Sequence, residues 1–243
     1  MITRLFVSNK LINDKKMTLD GDQARYLGKV LRARVGDTFT IFNGSGFEWP
    51  ATITKISKTN IFIVLGVGIK PNTESPLRIH LIQGICRSER MDFVVQKATE
   101  LGVNSITPVL TDFGVVKLNS ERANKRKAHW QKIANGACEQ SGRTCQPNIN
   151  IPESLEKYLR KPILLGTKII LAPQAKKSLN QINAPKNDIC ILIGPEGGFS
   201  EKEYNFAQDV GFCSASLGPR ILRTETAGIS AISILQAKWG DFK

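Results

Sequence analysis

Apolar runs of strand length alternate with stretches of helical periodicity from residue 77 onward, and this alternation constrains the fold more than any other feature. Alternating strands and helices predict a mostly parallel sheet covered by helices on both faces. Strands are predicted at residues 77–85, 105–110, 168–172, 189–193 and 214–218. Helices are predicted at residues 91–102, at 119–142, from Ser200 onward and at 226–240.

Terminal signals support these helices. Gly102 is a residue type that commonly follows the last turn of a helix. Ser200 and Glu203 have the spacing of a capping box, so a helix is expected to begin at Ser200. Glu201 and Glu203 would then belong to a solvated helix start. Residues 226–240 are apolar on most faces, which predicts a buried terminal helix.

The first part of the chain is rich in predicted strands. Three β-branched or aromatic runs, at 38–42, 49–56 and 60–67, are separated by turn-forming residues and predict a small barrel. Ahead of them, Tyr26, Leu27, Val30 and Leu31 recur at helical spacing, which predicts a helix.

The polar stretch at 70–76 contains two prolines and separates the two patterns. We therefore expect one domain at residues 1–72 and another at 73–243.

The charge of the chain favours a nucleic-acid partner. The formal net charge is +13, and attraction to phosphates is the usual reason for such an excess. Residues 1–72 hold 11 Lys/Arg against 5 Asp/Glu, whereas residues 73–243 hold 23 against 16, so the first part is the more positive per residue. A basic barrel could hold RNA, and the same charges could equally form a solvated face.

Several other classes of protein are disfavoured. No apolar run reaches the roughly 18–20 residues that a membrane span needs, and the first ten residues lack the apolar core of a secretory signal, so we expect a cytoplasmic protein. The five cysteines never form a C-x-x-C pair, and there are only two histidines. We therefore expect reduced, mostly buried thiols, no disulfide framework and no metal site.

Two predicted strands lead into glycine-containing loops and then into helices. In open α/β sheets, ligands bind beyond the carboxyl ends of the strands. Residues 194–198 and Gly218 are expected to let the backbone approach a ligand closely, with residues 171–174 as a third wall. Neither loop is a Walker A or G-x-G-x-x-G motif, and a glycine turn alone can be purely structural. Arg220 and Arg223 should face this site and could bind a phosphate or a carboxylate.

The motifs GPEGGFS (194–200) and LGPRILRTETA (217–227) resemble the signature pair of the RsmE family of 16S rRNA uridine-N3 methyltransferases. QKATELGV (96–103), ACEQSGR (137–143) and VLRARVGD (30–37) are similar to that family as well. The resemblance implies an α/β fold, with an N-terminal PUA-like small β-barrel and a C-terminal SPOUT methyltransferase domain that carries a trefoil knot. It also implies S-adenosylmethionine as cofactor, a homodimer, and the small ribosomal subunit with its 16S rRNA as partner. The target would be N3 of a uridine in the decoding region.

The resemblance assigns roles to individual positions. Cofactor-binding residues would be Leu171, Ala172, Gly194, Pro195, Glu196, Gly197, Gly198, Leu217, Gly218, Ile221 and Leu222. Catalytic candidates are Glu139, Arg143, Arg223 and Glu225. Arg4 and Arg32 match RNA-contacting positions, and the basic cluster adds Arg25, Lys29 and Arg34. Many family members carry a histidine ahead of VLR, where this chain has Arg25 and Tyr26.

The chemistry leaves choices open. The uracil N3–H is weakly acidic, so its loss needs a base or a positive field at the carbonyl oxygens. Arg223 or Arg143 could supply the field, and Glu139 or Glu225 could accept the proton. A non-catalytic RNA-binding protein and methylation of another rRNA base are the alternatives. A classical Rossmann methyltransferase is disfavoured, because its glycine loop follows the first strand.

Overall fold

The computed structural model describes residues 3–114, 119–161, 166–185 and 188–242. The chain forms two compact units, one of Met1–Glu74 with Cys138–Gln146 and the other of Ser75–Ala137 with Pro147–Lys243. The sequence contains no local signal that residues 138–146 belong with the first unit, because such membership depends on contacts between distant parts of the chain.

The first unit contains a five-stranded sheet. Its elements are β1 (Arg4–Phe6), β2 (Lys16–Leu19), α1 (Gly21–Arg25), β3 (Thr38–Phe42), β4 (Glu48–Ile56) and β5 (Ile61–Leu65). The strand order is β1-β3-β4-β5-β2, with β1 parallel to β3 and the other pairs antiparallel. Leu5 and Leu19, from the two edge strands, share one core with Ile41, Ile53 and Ile63, as expected of a sheet curled into a barrel-like shape. The three predicted strands are confirmed.

The predicted helix at residues 26–31 is present over Tyr26–Val30, but its turn is π-helical rather than α-helical. The short helix α1 runs into a single π-helical turn at Tyr26–Val30, in which the Leu31 N–H donates to Tyr26 O at 3.0 Å. This wider turn breaks the 3.6-residue period. Only Leu27 of the four apolar residues is buried, whereas Tyr26, Val30 and Leu31 are exposed.

The second unit is a parallel α/β structure. Its elements are β6 (Ile79–Gly84), α2 (Ser88–Glu100), β7 (Ser105–Leu110), α3 (Ser120–Ser141, whose last four residues belong to the first unit), β8 (Asn148–Ile149), β9 (Glu153–Ser154), α4 (Leu155–Leu159), β10 (Thr167–Leu171), β11 (Ile189–Ile193), α5 (Glu201–Asp209), β12 (Cys213–Ala215) and α6 (Thr224–Trp239). The strands follow the order β12-β10-β11-β6-β7-β8, with β9 also beside β7, and every pairing is parallel.

Helices cover both faces of this sheet, as predicted. In β11, Ile189, Ile191 and Ile193 point into a core shared with α2, α3 and α6, whereas Cys190 and Leu192 point into a second core shared with α4 and α5. Burial on both faces explains why the strand is a continuous apolar run rather than an alternating one.

Three of the five cysteines are buried in the structure. Cys86, Cys138 and Cys190 are buried, Cys145 is partly exposed and Cys213 is exposed. Within the described ranges, no cluster of three or more His, Cys, Asp or Glu side chains could hold a metal ion. No helix in that part of the chain is both long and apolar enough to cross a membrane.

Candidate active site

A cavity of about 730 Å³ opens beyond the carboxyl ends of β10, β11 and β12. This volume lies within the range of small-molecule sites. The predicted cofactor-binding residues all line it, namely Leu171, Ala172, Gly194, Pro195, Glu196, Gly197, Gly198, Leu217, Gly218, Ile221 and Leu222. Arg220 and Arg223 line it too, so the arginines of the last loop face this space as expected.

The glycines of the loop after β11 serve the packing of the loop itself. A Cβ on Gly197 would lie 2.9 Å from Phe113 Cβ and 3.1 Å from Phe113 O. Gly198 has a φ of +72°, a conformation that L-residues rarely adopt. Gly197 thus leaves room for Phe113, and Gly198 permits the turn that the Gly198 N–H closes onto Pro195 O at 3.0 Å. That these glycines also let a ligand approach the backbone closely stays a prediction.

A capping box fixes the far end of this loop. Ser200 caps α5, accepting from the Glu203 N–H, and Glu203 accepts from the Ser200 N–H at 3.0 Å. Glu203 also accepts from the Asp112 N–H at 2.9 Å and is buried, so the expectation of a solvated Glu203 is wrong. Two backbone donors compensate the burial of its carboxylate. Glu201 is exposed, as expected.

A buried hydrogen-bond chain ties the near end of the loop to α6. Thr224 Oγ1 donates to Gly194 O at 2.6 Å and accepts from Gln83 Nε2 at 2.9 Å. Gln83 Nε2 also donates to Gly84 O at 3.0 Å, and the Gln83 side chain is fully buried. The end of β6, the loop after β11 and the start of α6 are thus held together next to Arg223. Neither Gln83 nor Thr224 is predicted from the sequence, because each acts through a partner far away in the chain.

Acidic and basic side chains meet beside the cavity. Arg90 lines it and donates to Glu196 Oε1 at 3.1 Å, and its Nε lies 4.0 Å from Glu225 Oε1. Glu225 Oε2 is buried and has no hydrogen-bond partner among the described residues. Arg90 was also missed, because only the pairing of β6 with β11 brings the start of α2 to this loop.

The other two catalytic candidates belong to the first unit and have partners there. Glu139 Oε1 accepts from the Phe6 N–H at 2.8 Å. Burial raises the pKa of the Glu139 carboxyl above its ordinary value, against the opposing effects of that hydrogen bond and of Arg4. Arg143 is buried and donates to Glu74 Oε2 from Nε at 3.1 Å and from Nη2 at 2.8 Å.

Four of the five predicted RNA-contacting residues are exposed, and the fifth, Arg4, has partners within the protein. Arg25, Lys29, Arg32 and Arg34 are exposed around the π-helical turn. Arg4 forms an ion pair with Glu48, donates to Arg143 O at 3.0 Å and lies 4.9 Å above the Phe42 ring. Its contacts within the first unit give it a structural role.

Both parts of the chain match known protein families. Residues 73–236 match the family model of an RNA methyltransferase domain, and residues 19–66 match that of an RNA methyltransferase PUA domain. A protein from Buchnera aphidicola (subsp. Schizaphis graminum) called ribosomal RNA small subunit methyltransferase E is 38% identical over 99% of this chain and 98% of its own length. The chain belongs to the ribosomal RNA small subunit methyltransferase E family.

Solved structures of similar proteins agree with this assignment. A methyltransferase E from Neisseria gonorrhoeae, bound to S-adenosyl methionine, superposes with a TM-score of 0.93 at 37% identity over 100% of both chains. A putative methyltransferase from Legionella pneumophila, also in complex with SAM, gives a TM-score of 0.95 at 38% identity over 100% of both chains. The expected fold class is thereby confirmed: a PUA-like N-terminal domain accompanies an α/β domain of the SPOUT methyltransferase type.

Proposed function

We propose that this protein transfers a methyl group from S-adenosylmethionine to N3 of a specific uridine in the decoding region of 16S rRNA, on the small ribosomal subunit. The observation that carries the proposal is the cavity, because all eleven residues expected to bind the cofactor line it together with Arg223. Family membership and the SAM-bound relatives support the methyl-transfer chemistry. Because the proposed substrate is a ribosomal subunit, we place the reaction in the cytoplasm.

The cavity has the chemistry that this cofactor requires. Apolar side chains such as Leu171, Ile193 and Leu217 can contact a flat adenine ring, and the peptide groups of residues 194–198 can hydrogen-bond to its edge. The cofactor also carries a carboxylate, an ammonium and a sulfonium. Arginine and glutamate side chains in the same lining can complement both signs of charge. When bound, S-adenosylmethionine supplies an electrophilic methyl group without a metal.

Arg223 lines the cavity and Glu225 lies beside it, next to Arg90, and we assign the chemistry on the uracil to these two groups. Arg223 is exposed to the cavity and can stabilise negative charge on a uracil carbonyl oxygen as the N3 proton leaves. The unpartnered Glu225 Oε2 offers an acceptor for that proton, or for a hydrogen bond from an arginine. We therefore favour Arg223 as the cation and Glu225 as the acceptor.

Glu139 and Arg143 stay predictions as catalytic groups. Glu139 accepts from the Phe6 N–H, and Arg143 donates to Glu74. Each residue therefore has a structural function, and a catalytic role would have to be compatible with it. The RNA-holding role that we assign to Arg25, Lys29, Arg32 and Arg34 is supported by their exposure and by the exposed Tyr26 beside them, since aromatic rings and cations together hold single-stranded RNA. The homodimer also stays a prediction, which sedimentation velocity would test.

The decisive experiment is methyl transfer from labelled S-adenosylmethionine to small subunits that lack the modification, with the product nucleoside identified by mass spectrometry. We expect 3-methyluridine at one decoding-region position. A different methylated nucleoside would indicate another rRNA base. Cofactor binding without transfer would contradict this substrate, and the absence of both cofactor binding and transfer, with RNA binding retained, would indicate a non-catalytic RNA-binding protein.

Arg223→Ala tests the role of the cation. Removing a group that stabilises the developing charge costs on the order of 10²-fold in turnover. We expect that loss with unchanged thermal stability, because Arg223 is exposed. Arg160→Ala removes an exposed arginine that directly follows α4, on the other face of the sheet, and controls for the loss of an exposed arginine. Wild-type turnover in Arg223→Ala would remove this residue from the mechanism.

A further inference from the structure

Helix α3 carries an exposed basic stripe that the proposed site does not use. Residues 119–137 contain five Lys/Arg and a single acidic residue, Glu121. The structure makes this segment part of the second unit, the unit that holds the cavity. Its positive charge therefore adds to that of the PUA-like domain and requires an explanation of its own.

Three of these five cations lie, together with His129, along one side of the helix. Arg122, Lys125, His129 and Lys132 recur at intervals of three, four and three residues, and all four are exposed. This spacing aligns them on one helix face. The opposite side is occupied by Trp130 and Ala134, which pack into the core of the second unit. We call the four exposed residues the α3 stripe.

Little negative charge opposes the α3 stripe. Glu121 pairs with Lys125 at 2.6 Å, and Asp92 of α2 accepts a contact from His129 at 2.9 Å. Within the described part of the chain, neither Arg122 nor Lys132 has an ion-pair partner. Lys132 is ten positions after Arg122, so the helix rises by about 15 Å between them. The three cations of the stripe thus form an extended row rather than a single anion pocket.

We propose that the α3 stripe binds the phosphate backbone of the substrate RNA, as a second contact surface besides the PUA-like domain. An extended row of exposed cations matches a polyanion, whose binding releases condensed counterions. Such contacts hold and orient an RNA without reading its sequence. The inference rests on the proposed function, because it takes the substrate to be RNA.

The test is a triple variant, Arg122→Gln, Lys125→Gln and Lys132→Gln, in the full-length chain. Glutamine preserves helix propensity, so α3 should fold normally. The probe is a labelled 16S rRNA fragment that spans the decoding region, and its Kd is measured over a series of salt concentrations. We expect Kd to rise roughly tenfold and the slope of log K against log salt to become less steep by about 2, since each lost phosphate contact removes about 0.7 for a single strand. An unrelated RNA of equal length should be affected to the same degree.

The control is a second triple variant, Lys157→Gln, Arg160→Gln and Lys202→Gln. It removes one exposed cation from α4, one directly after α4 and one from α5, on the other face of the sheet. Equal salt slopes for the two triple variants would overturn the role of the α3 stripe. The proposed function would stand in that case, provided that the wild type still transfers methyl groups. If the wild type binds neither RNA, both the stripe and the proposed function are overturned. Cofactor affinity should be unchanged in both variants.

Discussion

Thr224 Oγ1 donates a hydrogen bond of 2.6 Å to the carbonyl oxygen of Gly194, and so ties the start of α6 to the loop after β11. The same hydroxyl accepts from Gln83 Nε2, so its donor and acceptor functions are both used inside the protein. Arg223 directly precedes Thr224, and Pro195 and Glu196 directly follow Gly194. The position of Arg223 relative to the loop after β11 therefore depends on one buried hydroxyl group.

Thr224→Val removes this hydroxyl and keeps the shape of the side chain, whereas Thr224→Ser keeps the hydroxyl. Leaving buried polar partners unsatisfied costs about 1–3 kcal/mol. We expect the valine variant to lose stability in that range, to bind S-adenosylmethionine more weakly and to lose turnover even at saturating cofactor, with serine close to wild type. Denaturant unfolding, calorimetric titration and kcat measure the three effects. A valine variant with lower stability but wild-type kcat and cofactor affinity would reduce Thr224 to a purely structural residue.

Gly197→Ala should damage the site through the packing of the loop. The added methyl group would meet Phe113 at 2.9 Å, and such overpacking costs about 1–3 kcal/mol. We expect weaker cofactor binding, measured by calorimetry. Gly136→Ala is the matched control. Gly136 is exposed in α3, and a methyl group added there would meet no neighbouring side chain within 4 Å. That variant should gain up to about 1 kcal/mol of stability from helix propensity. Equal cofactor affinity in the two variants would contradict this role of Gly197.

Local signals in the sequence predicted much of the second unit. The run at 189–193 became β11 with the expected bounds, because a strand buried on both faces needs apolar residues throughout. Ser200 and Glu203 act as a capping box within four residues of sequence, so no distant contact was needed to recognise the helix start. The cavity followed from the rule that ligands bind beyond the carboxyl ends of parallel strands.

Features that depend on distant contacts could not be predicted in this way. Arg90 reaches Glu196 across 106 positions of sequence, and only the pairing of β6 with β11 brings them together. Glu203 has the sequence pattern of an ordinary helix start. In the structure it is buried and accepts a hydrogen bond from the Asp112 N–H, 91 positions away. Around Tyr26 the helix was predicted but its type was not, because periodicity does not reveal a π-helical turn.

Glu139→Gln should change how stability depends on pH. Burial holds the pKa of Glu139 in the folded chain above its ordinary value of 4.5. Between these two pKa values the folded chain keeps a proton that the unfolded chain has released, so this group makes the free energy of unfolding fall as pH rises. Glutamine does not titrate and can still accept from the Phe6 N–H. We therefore expect the stability of the variant relative to wild type to increase as pH rises through the window above 4.5, and then to level off.

Urea unfolding at a series of pH values measures this difference. Glu121→Gln removes an exposed glutamate from the same helix and controls for the loss of a carboxylate as such. The same pH trend in both variants would show that burial of Glu139 is not its cause.

The five thiols should differ in their reactivity towards an alkylating reagent. Burial raises the pKa of Cys86 and of Cys138 to about 12 and that of Cys190 to about 11, so almost no thiolate forms at neutral pH. Cys213 is the exposed cysteine, and although its pKa is raised too, the reagent can reach it. We expect iodoacetamide to label Cys213 first, the partly exposed Cys145 more slowly, and the three buried thiols only after denaturation, as measured by peptide mass spectrometry. Labelling of Cys86 in the native protein as fast as that of Cys213 would mean that the end of β6 opens frequently, which the buried bonds of Gln83 should prevent.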